Sequence, residues 1–176
     1  MFNVDDTAIK QGNIDKKELY KIINTYLKGI ISEDSDWLAG ISNASALLFQ
    51  LLPEINWAGF YLYKNNELVL GPFQGKPACV RIQMGKGVCG TAAKQRKVQV
   101  VKDVNEFPGH IACDAASQSE IVVPIIKDER LIGVLDIDSP VKNRFDEMDA
   151  EGLSSFVDIL NQRICWPQHT DGITAY

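Results

Sequence analysis

No stretch of this sequence stays apolar for long. Runs such as VVPII and LIGVL fall far short of the ~20 residues that a membrane-spanning helix requires. The opening, MFNVDDTAIKQGN, is acidic and polar, so it has neither the basic segment nor the apolar segment of a secretion signal. The expected location is therefore cytoplasmic. Basic side chains are outnumbered, 18 against 23 acidic ones for a net charge of −5, and they nowhere cluster. That argues against a nucleic acid or an anionic membrane as partner. Repeats, low-complexity tracts and linkers are all missing, and 176 residues suit one domain with a sizeable core. Cysteine is scarce too: Cys79, Cys89, Cys113 and Cys165. In a reducing compartment these are not permanent staples, which leaves catalysis, redox chemistry, metal binding or plain burial.

What is present falls into periodic segments. In 16–31, Leu19, Ile22, Ile23, Tyr26, Leu27, Ile30 and Ile31 recur at helical spacing behind a capping Asp15. A second helix spans 36–51 and stops before Pro53. The period then changes to two. NWAGFYLYK (56–64) and ELVLGPFQ (67–74) flank Asn65-Asn66 and read as a hairpin. Short strands are expected at 79–84 and 98–104, with a glycine turn entering a short helix (85–97) between them, and then a long loop over 105–119. EIVVPII (120–126) and RLIGVLDID (130–138) form a second hairpin, and 145–164 a closing helix capped by Asp146. This order predicts an α+β domain, a central antiparallel sheet with its terminal helices gathered on one face and a functional loop over the other. Residues 1–15 are expected as an extension, 16–165 as the domain and 166–176 as a tail.

The loop poses a chemical question. In PGHIACDAASQSEI (108–121) a thiol sits among Gly, His, Asp and Ser, just before an apolar strand. A structural cysteine is usually buried among apolar residues, so Cys113 reads as a thiol kept for its chemistry. Cys89, in GVCGTAA, is ambiguous. It suits the packed first turn of a helix, yet a helix N-terminus also lowers a thiol's pKa. Cys165 carries no such signal.

The segments NWAGFYLY, GPFQGKPACVRIQMGKGVCGTAA, FPGHIACDAASQSEIVVPI and GVLDIDSP resemble the free methionine-(R)-sulfoxide reductases, enzymes built on the GAF fold. The likeness runs from about residue 16 to 160 and includes the spacing C-x9-C-x23-C. The resemblance implies a single GAF domain and reduction of free methionine-(R)-sulfoxide without a cofactor. It assigns Cys113 as attacking thiol and Cys79 as the thiol that resolves a sulfenic acid, with Cys89 as an alternate or relay. A thioredoxin-like reductant would complete the cycle, and because GAF domains often pair, the terminal helices could join two subunits as a homodimer, though their stripes do not distinguish a dimer face from a core face. The resemblance also places Trp57 and Tyr61, four apart on one strand face, in the substrate pocket. Spacing alone would read those two as core.

The acids can be weighed on their own. Alternation along RLIGVLDID puts Ile132, Val134, Asp136 and Asp138 on one face, with the two carboxylates roughly 7 Å apart. Glu120 starts the partner strand. If Asp128-Glu129 is a two-residue turn, Glu120 pairs with Ile137 and faces away, whereas a loop one residue longer or shorter sets it opposite Asp136 or Asp138. Either way three acids collect at one end of the sheet, beside the Cys113 loop. Clustered, partly buried carboxyls raise one another's pKa, so one can stay protonated and serve as an acid, for which Glu120 is the favoured residue. The remaining charge suits the ammonium group of a free amino acid. By resemblance Glu120, Asp136 and Asp138 bind the ligand. A zinc site from Cys79, Cys89, His110 and Cys113 lacks the close ligand pairs such sites usually show, and no metal is expected. GKGVCG lacks the spacing of a phosphate loop. The alternative function is a non-catalytic GAF module that senses a small molecule or redox state.

Overall fold

The computed structural model describes residues 9, 14–31, 36–109 and 115–167. Its framework is one six-stranded antiparallel sheet. β1 (Trp57–Lys64), β2 (Glu67–Gly75), β3 (Arg81–Gln83), β4 (Gln99–Val101), β5 (Ser119–Lys127) and β6 (Arg130–Ser139) stand in the order β3-β2-β1-β6-β5-β4. Among the described residues four α-helices complete it: α1 (Lys16–Ile30), α2 (Trp37–Leu51), α3 (Gly87–Gln95) and α4 (Glu147–Arg163). Among the described residues no helix is long and apolar enough to cross a membrane.

The two sheet faces carry different layers because strand side chains alternate. Phe60 and Leu135 point to the face covered by α1, α2 and α4, where they pack with Ile23, Leu27, Leu48 and Phe156, all fully buried. Ile9 and Trp166 also join this core. On the opposite face Trp57, Tyr61, Val122 and Val134 pack with Leu68, Ile82 and the α3 residues Val88, Cys89 and Ala92. The terminal helices thus share one face, and the irregular segment with α3 occupies the other.

Local chemistry sets the helix ends. The Asp15 and Asp36 carboxylates each accept a hydrogen bond at 2.9 Å, from the backbone N–H of Glu18 and of Ala39. Asp146 forms a reciprocal capping box with Asp149. Asp149 is fully buried and also accepts from Tyr20 Oη at 2.8 Å and Arg144 at 3.1 Å, and pairs with Lys16. That cluster ties α1 to α4 in the way buried charge demands, with every oxygen partnered.

Both hairpins close on two-residue turns. Asn65 and Asn66 have φ of 49° and 63°, as do Asp128 and Glu129, the left-handed backbone that a type I′ turn needs at both positions. The second hairpin nevertheless does not keep the register its turn begins. Lys127 pairs with Arg130 and Ile126 with Leu131, but a bulge then sets Ile125 opposite Gly133. Two expectations change. Glu120 lies opposite Asp138 and not Ile137, although the turn has two residues. Ile132 falls out of alternation with Val134 and packs in the helix-side core, because a bulge inserts one residue and reverses the faces before it. The edge strands β3 and β4 are shorter than 79–84 and 98–104, having one neighbour each to pair with. α3 is shorter than 85–97, since Arg96 turns left-handed at φ 54° and ends it.

Candidate active site

The open face of β1 supplies an aromatic wall. Trp57, Gly59 and Tyr61 alternate onto one side, and the middle position has to be glycine. A Cβ at Gly59 would lie 2.3 Å from Phe73 Cβ and 2.7 Å from the Trp57 ring. The space is filled instead by stacked rings: Trp57 lies 5.2 Å from Phe73 at 12° and 6.0 Å from Tyr61 at 23°. The polar tips of both residues are used. Trp57 Nε1 donates to the Lys76 carbonyl at 3.1 Å, and Tyr61 Oη donates to the Cys79 carbonyl at 3.0 Å. These two bonds hold the irregular segment that carries Cys79 against the sheet.

Beside the wall lie the acids. β1 pairs Gly59 with Asp136 and Trp57 with Asp138, and β5 sets Glu120 across from Asp138. Glu120 and Asp136 are each 6% exposed, while Asp138 is half-buried. α3 reaches down from above. Its close approach depends on Gly90, where a Cβ would lie 2.3 Å from the Gln83 carbonyl oxygen, and it delivers Cys89 Sγ to 3.9 Å from Glu120 Oε1.

Burial dominates the electrostatics of this cluster. It raises Asp136 from the ordinary 3.8 to about 6. Glu120 is pushed well above its usual range, first by burial, then by the charges of Asp136 and Asp138. Both carboxyls therefore hold a proton to higher pH than free carboxyls would. Cys89 is raised well above a normal thiol by burial and then by the same two carboxyls. Its place in the first turn of α3 does not offset this, since a helix dipole contributes only about 0.3–1 kcal/mol, less than one pKa unit. The ambiguity at Cys89 resolves toward a packed, neutral thiol.

Trp57, Tyr61, Cys89, Glu120, Asp136 and Asp138 all line one cavity of about 30 Å³. The GAF domain family model matches residues 42–164. A free methionine-R-sulfoxide reductase of Escherichia coli is 52% identical over 82% of this chain and 87% of its own. The chain belongs to the free methionine-R-sulfoxide reductase family of GAF domains. The reduced fRMsr of Staphylococcus aureus superposes with a TM-score of 0.80 at 55% identity, covering 82% of this chain and 94% of that one. The free methionine-R-sulfoxide reductase of Neisseria meningitidis, solved in complex with its substrate, superposes with a TM-score of 0.82 at 44% identity over 85% and 90% of the two chains.

Within this family frame the remaining expected residues divide. Cys79 is half-buried in the segment after β2, next to the cavity-lining Lys76, Pro77 and Ala78. Cys165 is exposed and does not line the cavity. Cys113 and His110 lie outside the described residues. Sequence reasoning missed Ser117, whose hydroxyl accepts from Asn56 Nδ2 at 3.1 Å, and the side of the cavity formed by Lys86, Gly87 and Val88. The latter had a signal, because GKG opens a helix, and a helix N-terminus beside a lysine attracts anions.

Proposed function

We propose that the protein reduces free methionine-(R)-sulfoxide to methionine. The observation that carries this reading is a single cavity that joins two buried carboxyls of raised pKa to an aromatic wall. The ammonium group of the substrate would meet Asp136 and Asp138. Its carboxylate would meet Lys86 and the start of α3, and its methyl group the rings of Trp57 and Tyr61. A peptide-bound methionine sulfoxide has no free ammonium to offer, so this arrangement favours the free amino acid.

The Cys113 thiolate attacks the sulfoxide sulfur, and Glu120 gives its proton to the sulfoxide oxygen. The oxygen passes to Cys113 as a sulfenic acid, and methionine leaves as the thioether. The Cys79 thiol then attacks that sulfenic sulfur, water departs, and a disulfide remains. A thioredoxin-like dithiol reduces it by exchange, restoring both thiols. Cys89, buried and neutral, is a reserve thiol at most. The cycle suits the reducing cytoplasm, with residues 16–165 as the catalytic domain in a monomer or homodimer.

The test is turnover with dithiothreitol of the free (R) and (S) epimers and of a peptide-bound sulfoxide. Consumption of free (R) alone, lost in Cys113→Ser, is the expected result. Binding of methionine derivatives with no turnover would replace the reductase by a GAF sensor module.

A further inference from the structure

The acids and the buried thiol also meet the requirements of a metal site, with a ligand set that differs from the one weighed from sequence. Cys89 Sγ and one carboxylate oxygen from each of Glu120 and Asp136 all lie within 4.8 Å of one another, and all three residues are buried. They come from α3, β5 and β6, so no close sequence pair announces them. The Cys89 to Glu120 separation is 3.9 Å. Around a tetrahedral zinc, with S and O ligands at about 2.3 and about 2.1 Å, neighbouring ligands lie about 3.6 Å apart. The Cys89–Glu120 pair needs to close by a few tenths of an ångström, and no pair of the three by more than about 1.4 Å.

A second observation points to a missing ligand. Asp136 lines the cavity at 6% exposure; its carboxyl bonds with Cys89 and Glu120, yet among the described residues its Oδ1 is buried without a hydrogen-bond partner. A buried acceptor left in that state costs about 1–3 kcal/mol, and a cation would satisfy it. The thiol decides which cation. Magnesium and calcium take oxygen ligands, whereas a thiolate with carboxylates suits zinc and its softer relatives.

We propose that Cys89, Glu120 and Asp136 form an inhibitory binding site for a soft divalent cation of the zinc type, and that this ion and the amino-acid substrate exclude each other. Binding forms one metal–sulfur and two metal–oxygen bonds. The thiol proton and any carboxyl proton leave to solvent, and no electron is transferred. The exclusion rests on the reading that the same acids receive the substrate, but the metal site itself does not.

The experiment uses the full chain with Cys79, Cys113 and Cys165 replaced by Ser, so that Cys89 is the sole thiol and no turnover occurs. Cadmium titration should give one bound ion with the ultraviolet band of a thiolate–cadmium bond. Adding Cys89→Ser should abolish the band and weaken zinc binding, read by calorimetry, about 100-fold. Glu120→Gln should weaken zinc binding about 10- to 100-fold with an unchanged circular dichroism spectrum, which guards against misfolding as the cause. Free methionine-(R)-sulfoxide should bleach the cadmium band. Zinc binding unaffected by Cys89→Ser, or no band at saturating cadmium, overturns the site. A band that persists under saturating sulfoxide overturns the exclusion. Turnover by the wild type without a metal site sinks only this inference, and a metal site without turnover sinks only the reductase reading.

Discussion

Replacing Asp136 with Asn should make the protein more stable and less able to bind its ligand. Asp136 is buried, its Oδ1 has no hydrogen-bond partner among the described residues, and burial raises its pKa from 3.8 to about 6. At about 1.4 kcal/mol per pKa unit, the ionised carboxylate costs the folded state about 3 kcal/mol. The folded chain holds this proton more tightly than the unfolded chain. Its contribution is therefore most favourable below the unfolded pKa, and stability declines as pH rises through about 6. Asn carries no charge at any pH, so it escapes this decline, although its amide leaves one hydrogen bond unmade at a cost of about 1 kcal/mol. The net gain near neutrality is about 2 kcal/mol, which for a chain of this size raises Tm by about 4–8 °C. It should fall to zero at about pH 4.5 and reverse below it to a loss of at most about 1 kcal/mol, the unmade hydrogen bond alone. Thermal melts of both proteins across this range read the effect directly. An Asn variant that is less stable than wild type near neutrality, or whose advantage does not depend on pH, would refute the claim that an ionised Asp136 is held at a cost.

Two further outcomes follow from the same site. In wild type kcat/KM should rise through about pH 6 as Asp136 ionises and fall on the alkaline side as Glu120 loses its raised proton; Glu120→Gln should lower kcat by about 10²- to 10⁴-fold and remove the alkaline limb, and a flat wild-type profile between pH 5 and 7, roughly the span of the Asp136 titration, would count against these roles. Tyr61→Phe deletes the bond to the Cys79 carbonyl, so it should lower stability by about 0.5–1.5 kcal/mol and slow disulfide formation, measured by rapid quench and thiol labelling, more than it slows release of methionine.

How much was legible in advance depends on the range of the interaction. The helix beginning at Asp15, the closing helix capped by Asp146 and both hairpins came from periodicity and turn chemistry, which act over a few residues. The motifs around the cysteines carried the family, since they are local strings. The partner of Glu120 could not be read, because register depends on a bulge at Ile125, and a bulge answers to packing on both sheet faces. Nor could the state of Cys89. Its position in α3 left it open between a packed thiol and one of lowered pKa, and only the tertiary burial beside Glu120 and Asp136 shows that its pKa is raised.

By itself, then, the sequence determined the elements, the antiparallel sheet with its terminal helices on one side, the family, and the residue types able to do the chemistry. These follow from side-chain alternation and backbone preferences that neighbours along the chain impose. The tertiary structure alone decided that Cys89, Glu120 and Asp136 share one buried cluster, that Gly59 clears the space in which Trp57 stacks between Phe73 and Tyr61, and that burial raises the pKa of both carboxyls. Those outcomes depend on distance and desolvation between residues far apart in the chain, and both are properties of the folded packing.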